Sequence, residues 1–307
     1  MSAGVRHALR SCGLMLAVLI APPAHADVSV SVIGNQAFAQ IALPASSGII
    51  DADVTITFDS PANLSPASLN LTAQVIHPHD PVLRARLPAC VPLDCVTIDP
   101  AFPLLITVEP PAVPWLFHSG FEADGESSGL LAFLNTYEIE IHTPDLDCAA
   151  SAAGEHCPAT QYRLFKAPVD GPFADYTQDV LKGSVRARGR GGSFSQFLIV
   201  ADQRDALSVE LEKSMLLQAR IIAAVLDGVL SGDLLGLLAD VQVAVTLNDF
   251  GTAIARVDAL IQTVAANAGT GIANYWSADR GSVNDAGDIE ALAWSLRYTL
   301  VRLQDGT

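Results

Sequence analysis

The sequence predicts an α+β chain, with an antiparallel, Ig-like β-sandwich over residues 27–203 and a helical bundle over 204–307. Two observations carry this. Apolar residues alternate with period two, between turn residues about every ten positions, as far as residue 203, and beyond it they recur at helical spacing. The change falls within one stretch, GSVRARGRGGSFSQFLIVADQR at 183–204. That stretch reads as a β-hairpin with arms at 184–188 and 193–200, its turn supplied with positive φ by Gly189, Gly191 and Gly192. Asp202 or Asp205 is placed to cap the helix that follows.

Taken in order, residues 1–26 read as a secretory signal. Arg6 and Arg10 form a basic start, residues 12–21 an apolar core and Ala24-His25-Ala26 a small-x-small cleavage site, so that the mature chain begins at Asp27. Strands are expected at 28–32 and 37–43, joined across Gly34-Asn35, then at 53–58, 68–76, 96–98 and 104–108. Half-buried runs rich in Val, Ile and Thr fit two antiparallel sheets with covered inner faces. Pro110, Pro111 and Pro114 open a loop insertion around 110–130. Strand pattern resumes at 136–142 and 162–166. Helices are expected at 205–230, 233–246, 249–268 and 288–304, linked tightly enough for an antiparallel bundle. In the first of them Lys213, Arg220 and Asp227 fall on one narrow polar stripe. Charges at these positions, at Asp233 and at Asp240 interrupt each apolar window, so no membrane span is expected once the signal is removed.

Charge and cysteine content restrict the partners and the compartment. The net charge is −16, and removal of a signal holding two of the 17 Lys+Arg and none of the 33 Asp+Glu takes it to −18. Nucleic acid and anionic membrane both require a concentrated positive field, so neither is expected as a partner. Arg186 and Arg188 share one strand face and read as solvated. The four cysteines left after cleavage read as two disulfides, with Cys90–Cys95 and Cys148–Cys157 preferred among three connectivities because each pair is local.

No catalytic residue or cofactor is assigned. The sequence holds no G-x-S-x-G, H-E-x-x-H, Walker A or EF-hand pattern. His77, His79 and Asp80 are the candidates for a zinc site, with His118 or His142 as further ligands, and they would make the protein a metal-dependent hydrolase; loop-surface histidines are the preferred reading. Asp51 with Asp53, and Asp124 with Glu126, are candidate calcium ligands against a preferred solvated acidic surface. Trp115 or Trp276 would serve a carbohydrate-binding module. Trp276, Trp294, Tyr275 and Tyr298 are otherwise read as core.

Phe117-His118-Ser119-Gly120-Phe121-Glu122 resembles the F-x-x-G-F-E motif of secreted proteins of Gram-negative bacteria. With 136–143, 162–167 and 183–204, the pattern resembles an uncharacterised family of exported bacterial proteins. That resemblance implies an all-β front, a helical rear and an envelope or extracellular setting. The segment LLADVQVAVTLNDFGTAIARVDALIQTVAA at 237–266 is similar in rhythm to the FIMAH domain, which implies a noncatalytic accessory role. The expected function is therefore that of a noncatalytic exported interaction or structural module, periplasmic or extracellular, with a protein or polysaccharide partner.

Overall fold

The computed structural model describes residues 27–45, 48–90, 95–112, 129–147, 161–181, 184–279 and 281–306. Antiparallel sheets come first and helices follow, as expected. One sheet has the order β1 (Asp27–Ile33), β2 (Gln36–Ala45), β3 (Gly48–Phe58), β8 (Tyr137–Asp147), β12 (Ser184–Gly191), β11 (Thr177–Leu181). The other runs β10 (Ala174–Asp175), β9 (Tyr162–Ala167), β13 (Gln196–Asp202), β6 (Leu104–Val108), β4 (Leu71–Val75), with β5 (Val96–Ile98) also on β13. Alternation aims Val54, Ile56, Ile139, Ile141 and Val185 of the first sheet and Leu104, Ile106, Leu164, Phe197 and Ile199 of the second into one shared apolar cluster. A separate cluster, with Phe165, Leu198 and Val200, lies on the outer face of the second sheet under the short helix α2 (Pro81–Arg84).

The stretch at 183–204 is not a hairpin. β12 pairs with β8 and β11, while β13 pairs with β5, β6 and β9 of the other sheet. The reason lies in β13, where Phe197 and Ile199 face the shared core and Leu198 and Val200 the outer cluster. A strand covered on both faces belongs in the middle of a sheet and cannot serve as one arm of a half-exposed ribbon. Nor do Gly189, Gly191 and Gly192 adopt positive φ. They are small because other groups lie against them. A Cβ on Gly191 would sit 2.5 Å from the Tyr137 hydroxyl, and one on Gly192 would sit 2.4 Å from the Asp288 nitrogen.

The strand expected at 68–76 begins later. Ser65 and Ser68 form a capping box at the start of the short helix α1 (Pro66–Leu69), with Pro66 as its first residue, and Asn70 ends it at φ 48°. Leu69 therefore enters the core from a helical turn, and Val75 lies outside it.

The long helices are α3 (Ala206–Ala223), α4 (Gly228–Thr246), α5 (Phe250–Asn267) and α6 (Asp285–Asp305). The side chains of Asp205, Asp227, Asp249 and Asn284 cap their N-termini. The first break falls before Asp227, earlier than Ser231-Gly232, because Asp227 takes the capping role. α3 packs on α6, α6 on α5 and α5 on α4 around Leu217, Leu234, Val257, Leu260 and Leu296. Among the described residues, α4 is the one helix long and apolar enough to cross a membrane. Its Leu234, Leu238, Val241 and Ala244 are buried among the other helices.

Of the expected stripe, Lys213 is buried and Arg220 half-buried on α3, while Asp227 lies beyond the helix and is exposed. Glu210, Lys213 and Ser214 are buried, while Leu211 and Met215 are 55% and 59% exposed. The helix is turned this way because the sheets offer charges for it to meet. Lys213 Nζ lies 2.7 Å from Asp175 Oδ2. Arg220 bonds Asp285 and Asp288 of α6. Sheets and helices are joined again where β14 (Tyr275–Ser277) pairs with β7 (Ala132–Leu134).

Candidate functional site

Lys166 follows from the alternation of β9, a strand buried along its whole length. Tyr162 and Leu164 point into the shared core, Phe165 and Ala167 to the outer cluster, and Lys166 continues the first row. Its side chain is 5% exposed. The Nζ lies 4.8 Å from the ring centroid of Tyr176 and 5.8 Å from that of Tyr137, so the positive charge rests against two aromatic faces. Among the described residues, no carboxylate is in ion-pair contact with it.

A cavity of about 610 Å³ opens beside Lys166. It lies where residues 85–89, the β9–β10 connection, the start of β13 and helices α3 and α6 meet. Its charged lining is Arg86, Lys166, Glu212, Arg220 and Asp288, and its apolar lining includes Leu87, Phe173 and Leu216. The positions of these groups are fixed by bonds to their neighbours. Arg86 donates through Nε to Gly171 O (2.7 Å) and through Nη2 to Gln196 Oε1 (2.7 Å), with its guanidinium 4.5 Å above the Phe173 ring. Asp288 accepts from Arg220 Nη2 at 3.1 Å and from the Ser193 hydroxyl at 3.2 Å. The Tyr137 hydroxyl donates to Ser193 O at 2.8 Å, and its ring stacks on Phe194. Glu212 is held by Arg204, which also forks onto Asp202.

The electrostatics follow from burial. Desolvation pulls the Lys166 ammonium down to about 8, against the attraction of Asp288 and with the help of repulsion from Arg220. Burial likewise raises the phenols of Tyr137 and Tyr176, so both stay neutral. The cavity thus holds a buried amine, two arginines and two carboxylates that are already engaged, all beside an apolar wall. Such a site is suited to bind and orient a small molecule.

The residues singled out from sequence lie elsewhere. Asp80 caps α2, its Oδ1 accepting from Val82 N at 2.8 Å and Leu83 N at 3.1 Å. His77 Nδ1 accepts from His79 N, and the two rings are 5.8 Å apart. His142 bonds Ser184 and lies 3.4 Å from Asp53, on the first sheet. Among the described residues, no three His, Cys, Asp or Glu side chains are grouped to hold a metal. The Asp51 backbone N–H donates to Asp145. Trp276 stacks on Phe133 at 5.1 Å and meets Phe194 edge-on at 5.0 Å, packing against the shared core. Trp294 donates to Glu290 and lies between Arg190 and Arg297. Tyr275 is exposed. Arg186 and Arg188 sit on the outer strand face, both against Glu140. Cys90 and Cys95 form a disulfide with an S–S distance of 2.04 Å. Cys148, Cys157, Trp115, His118, Asp124, Glu126 and the 117–122 motif lie outside the described residues.

One signal in the sequence pointed to the cavity. In YRLFKA, Arg163 and Lys166 stand an odd number of residues apart, so a strand must place them on opposite faces. When both faces of the strand are apolar, at least one of these charges is buried.

Residues 14–304 match the model of a family of unknown function, DUF6689. No curated protein and no solved structure matches the chain.

Proposed function

We propose, for a chain that belongs to this family of unknown function, that it is a noncatalytic exported binding module whose binding site is the cavity around Lys166. In this reading residues 1–26 are a cleaved signal, the two sheets form an Ig-like sandwich and the long helices a bundle. The resemblances to F-x-x-G-F-E proteins and to the FIMAH domain fit an accessory role in the envelope or outside the cell. The observation that carries the reading is that Lys166 is buried, faces a cavity and has no carboxylate partner among the described residues. A buried cation without a counter-charge costs stability, and a group of that kind beside a cavity marks a binding site. Capping by Asp80 and packing by Trp276 count against the hydrolase and carbohydrate readings.

The test is a thermal-shift screen of acidic, neutral and basic fragments on the mature protein and on Lys166→Met. Fragments that raise the wild-type midpoint and fail to raise that of the variant are expected, since a ligand that binds only the folded state stabilises it by mass action. The reading is overturned if no fragment does so, or if a bound fragment is chemically turned over.

Without ligand, Lys166→Met should be more stable than the wild type by about 0.5–2 kcal/mol, because a charge kept for binding is a stability sacrifice. The pH dependence fixes the sign independently. Between about 8 and the ordinary lysine value, the unfolded chain holds a proton that the folded chain has lost. Wild-type stability should therefore climb with pH relative to the variant across that window. Urea titrations at several pH values check both statements.

A further inference from the structure

Resting on that reading, we propose that the ligand is a small organic carboxylate, with its charged end at Lys166 and its apolar body along Leu87, Phe173 and Leu216. The charge around the cavity points this way. In a chain of net charge −16, two cations line one cavity and neither is in ion-pair contact with a carboxylate among the described residues. They are Lys166, which rests on tyrosine faces, and Arg86, which donates to neutral oxygens, those of Gly171, Pro168 and Gln196. The remaining cation, Arg220, is already neutralised by Asp285 and Asp288. A carboxylate supplies the counter-charge that Lys166 lacks, in a cavity that Arg86 also lines.

A multiply charged anion fits less well. Asp288 and Glu212 also line the cavity, and Arg86 has committed its Nε and Nη2 donors. Few donors are left to surround a phosphate, whereas a carboxylate needs one ammonium and one or two further bonds. The apolar wall calls for a body on the ligand that inorganic anions lack, and about 610 Å³ accommodates a molecule of drug-like size.

The experiment measures affinities of the mature full chain for matched pairs, 3-phenylpropionate against 3-phenylpropanamide and octanoate against octanamide, with inorganic phosphate as a separate arm. Calorimetry on wild type, Lys166→Met and Lys166→Arg is the readout. The acids should bind about tenfold or more tightly than their amides, as expected of a charge-assisted hydrogen bond. Lys166→Met should lose that preference, and Lys166→Arg should retain part of it.

The preference should also fall as pH is raised from about 7 to about 9, because the ammonium that carries it titrates at about 8. The groups facing Lys166 do not imitate this. The Tyr137 and Tyr176 phenols are held up by burial and stay neutral, and the other charged groups that line the cavity are Asp288, Arg220, Arg86 and Glu212.

Equal binding of acid and amide, both sensitive to Lys166→Met, overturns the carboxylate assignment and leaves the binding module standing. Tighter binding of phosphate than of either acid overturns it too. If no probe binds and the broad fragment screen also finds nothing, both the assignment and the module fall.

Discussion

Lys213→Met is expected to lose about 3–5 kcal/mol of folding stability, the range found when one partner of a buried ion pair is removed. Lys213 is 1% exposed, forms an ion pair with Asp175 Oδ2 at 2.7 Å, and donates to Thr299 Oγ1 at 2.9 Å and Ser295 O at 3.1 Å. Those partners lie on β10 and α6, so one side chain of α3 joins three elements. The variant would strand the Asp175 carboxylate in the interior, with Arg163 as the nearby cation.

The pH dependence gives a second check. Burial alone would raise the Asp175 carboxyl, but Lys213 and Arg163 outweigh it and hold it below the usual carboxylate range. The stability that this pair contributes is present above the unfolded carboxylate value and is lost as pH falls through the folded one. The gap between wild type and variant should therefore narrow in acid, where Asp175 takes up a proton. Lys213→Met with Asp175→Leu should recover most of the loss, since well-packed apolar pairs replace buried ion pairs at little cost. Urea denaturation measures all of these, and a loss below about 1 kcal/mol for the single variant would show the pair to be dispensable.

Gly287→Ala should cost at least about 3 kcal/mol, at the upper end for overpacking, because two of its three nearest neighbours are backbone and cannot yield. A Cβ at Gly287 would lie 2.0 Å from Asn135 O and 2.8 Å from the Gly192 Cα. Asn284 anchors the same spot, donating to Asn135 O at 2.6 Å and Gly192 O at 3.0 Å while accepting from Gly287 N. Gly232→Ala, where a Cβ meets nothing, is the control on the exposed face of α4. It should be neutral or slightly stabilising, given the helix propensity of alanine. Thermal melts of the two variants decide the matter, and equal melting points would refute the close-packing argument.

The two lysines show what sequence alone could and could not give. Period-two runs and Asp caps are local signals, so β2, β3, β6, β9, α5 and α6 were legible within a few residues, whereas the break between α3 and α4 falls earlier than the helical spacing predicts. The fates of β12 and β13 were not. Which sheet a strand joins depends on partners far along the chain, and the glycines between them are compatible with a turn as well as with close packing. The site was still less legible. Lys213 stands beside Glu210 and Glu212 and Lys166 close to Arg163, and nothing within a few residues of either lysine says that one meets Asp175 and the other tyrosine rings. The inward polar face of α3 inverted the usual rule for the same reason, because its partners lie on β10 and α6.

The stitching of the last helix to the sheets also bears on the order in which the molecule can complete itself. A chain made from its N-terminus has β7, Asn135 and Asp175 in hand long before Asn284 and Ser295 exist, and the Asn284–Asn135 bond spans 149 residues. Until α6 emerges, the cavity has no far wall and Asp175 lacks Ser295, so the sheets are held as an unfinished half. Contacts that distant slow folding. A chain cut short before α6 is therefore expected to be cleaved faster in limited proteolysis than the chain that includes it, and equal half-lives would refute the idea that α6 completes the sheets.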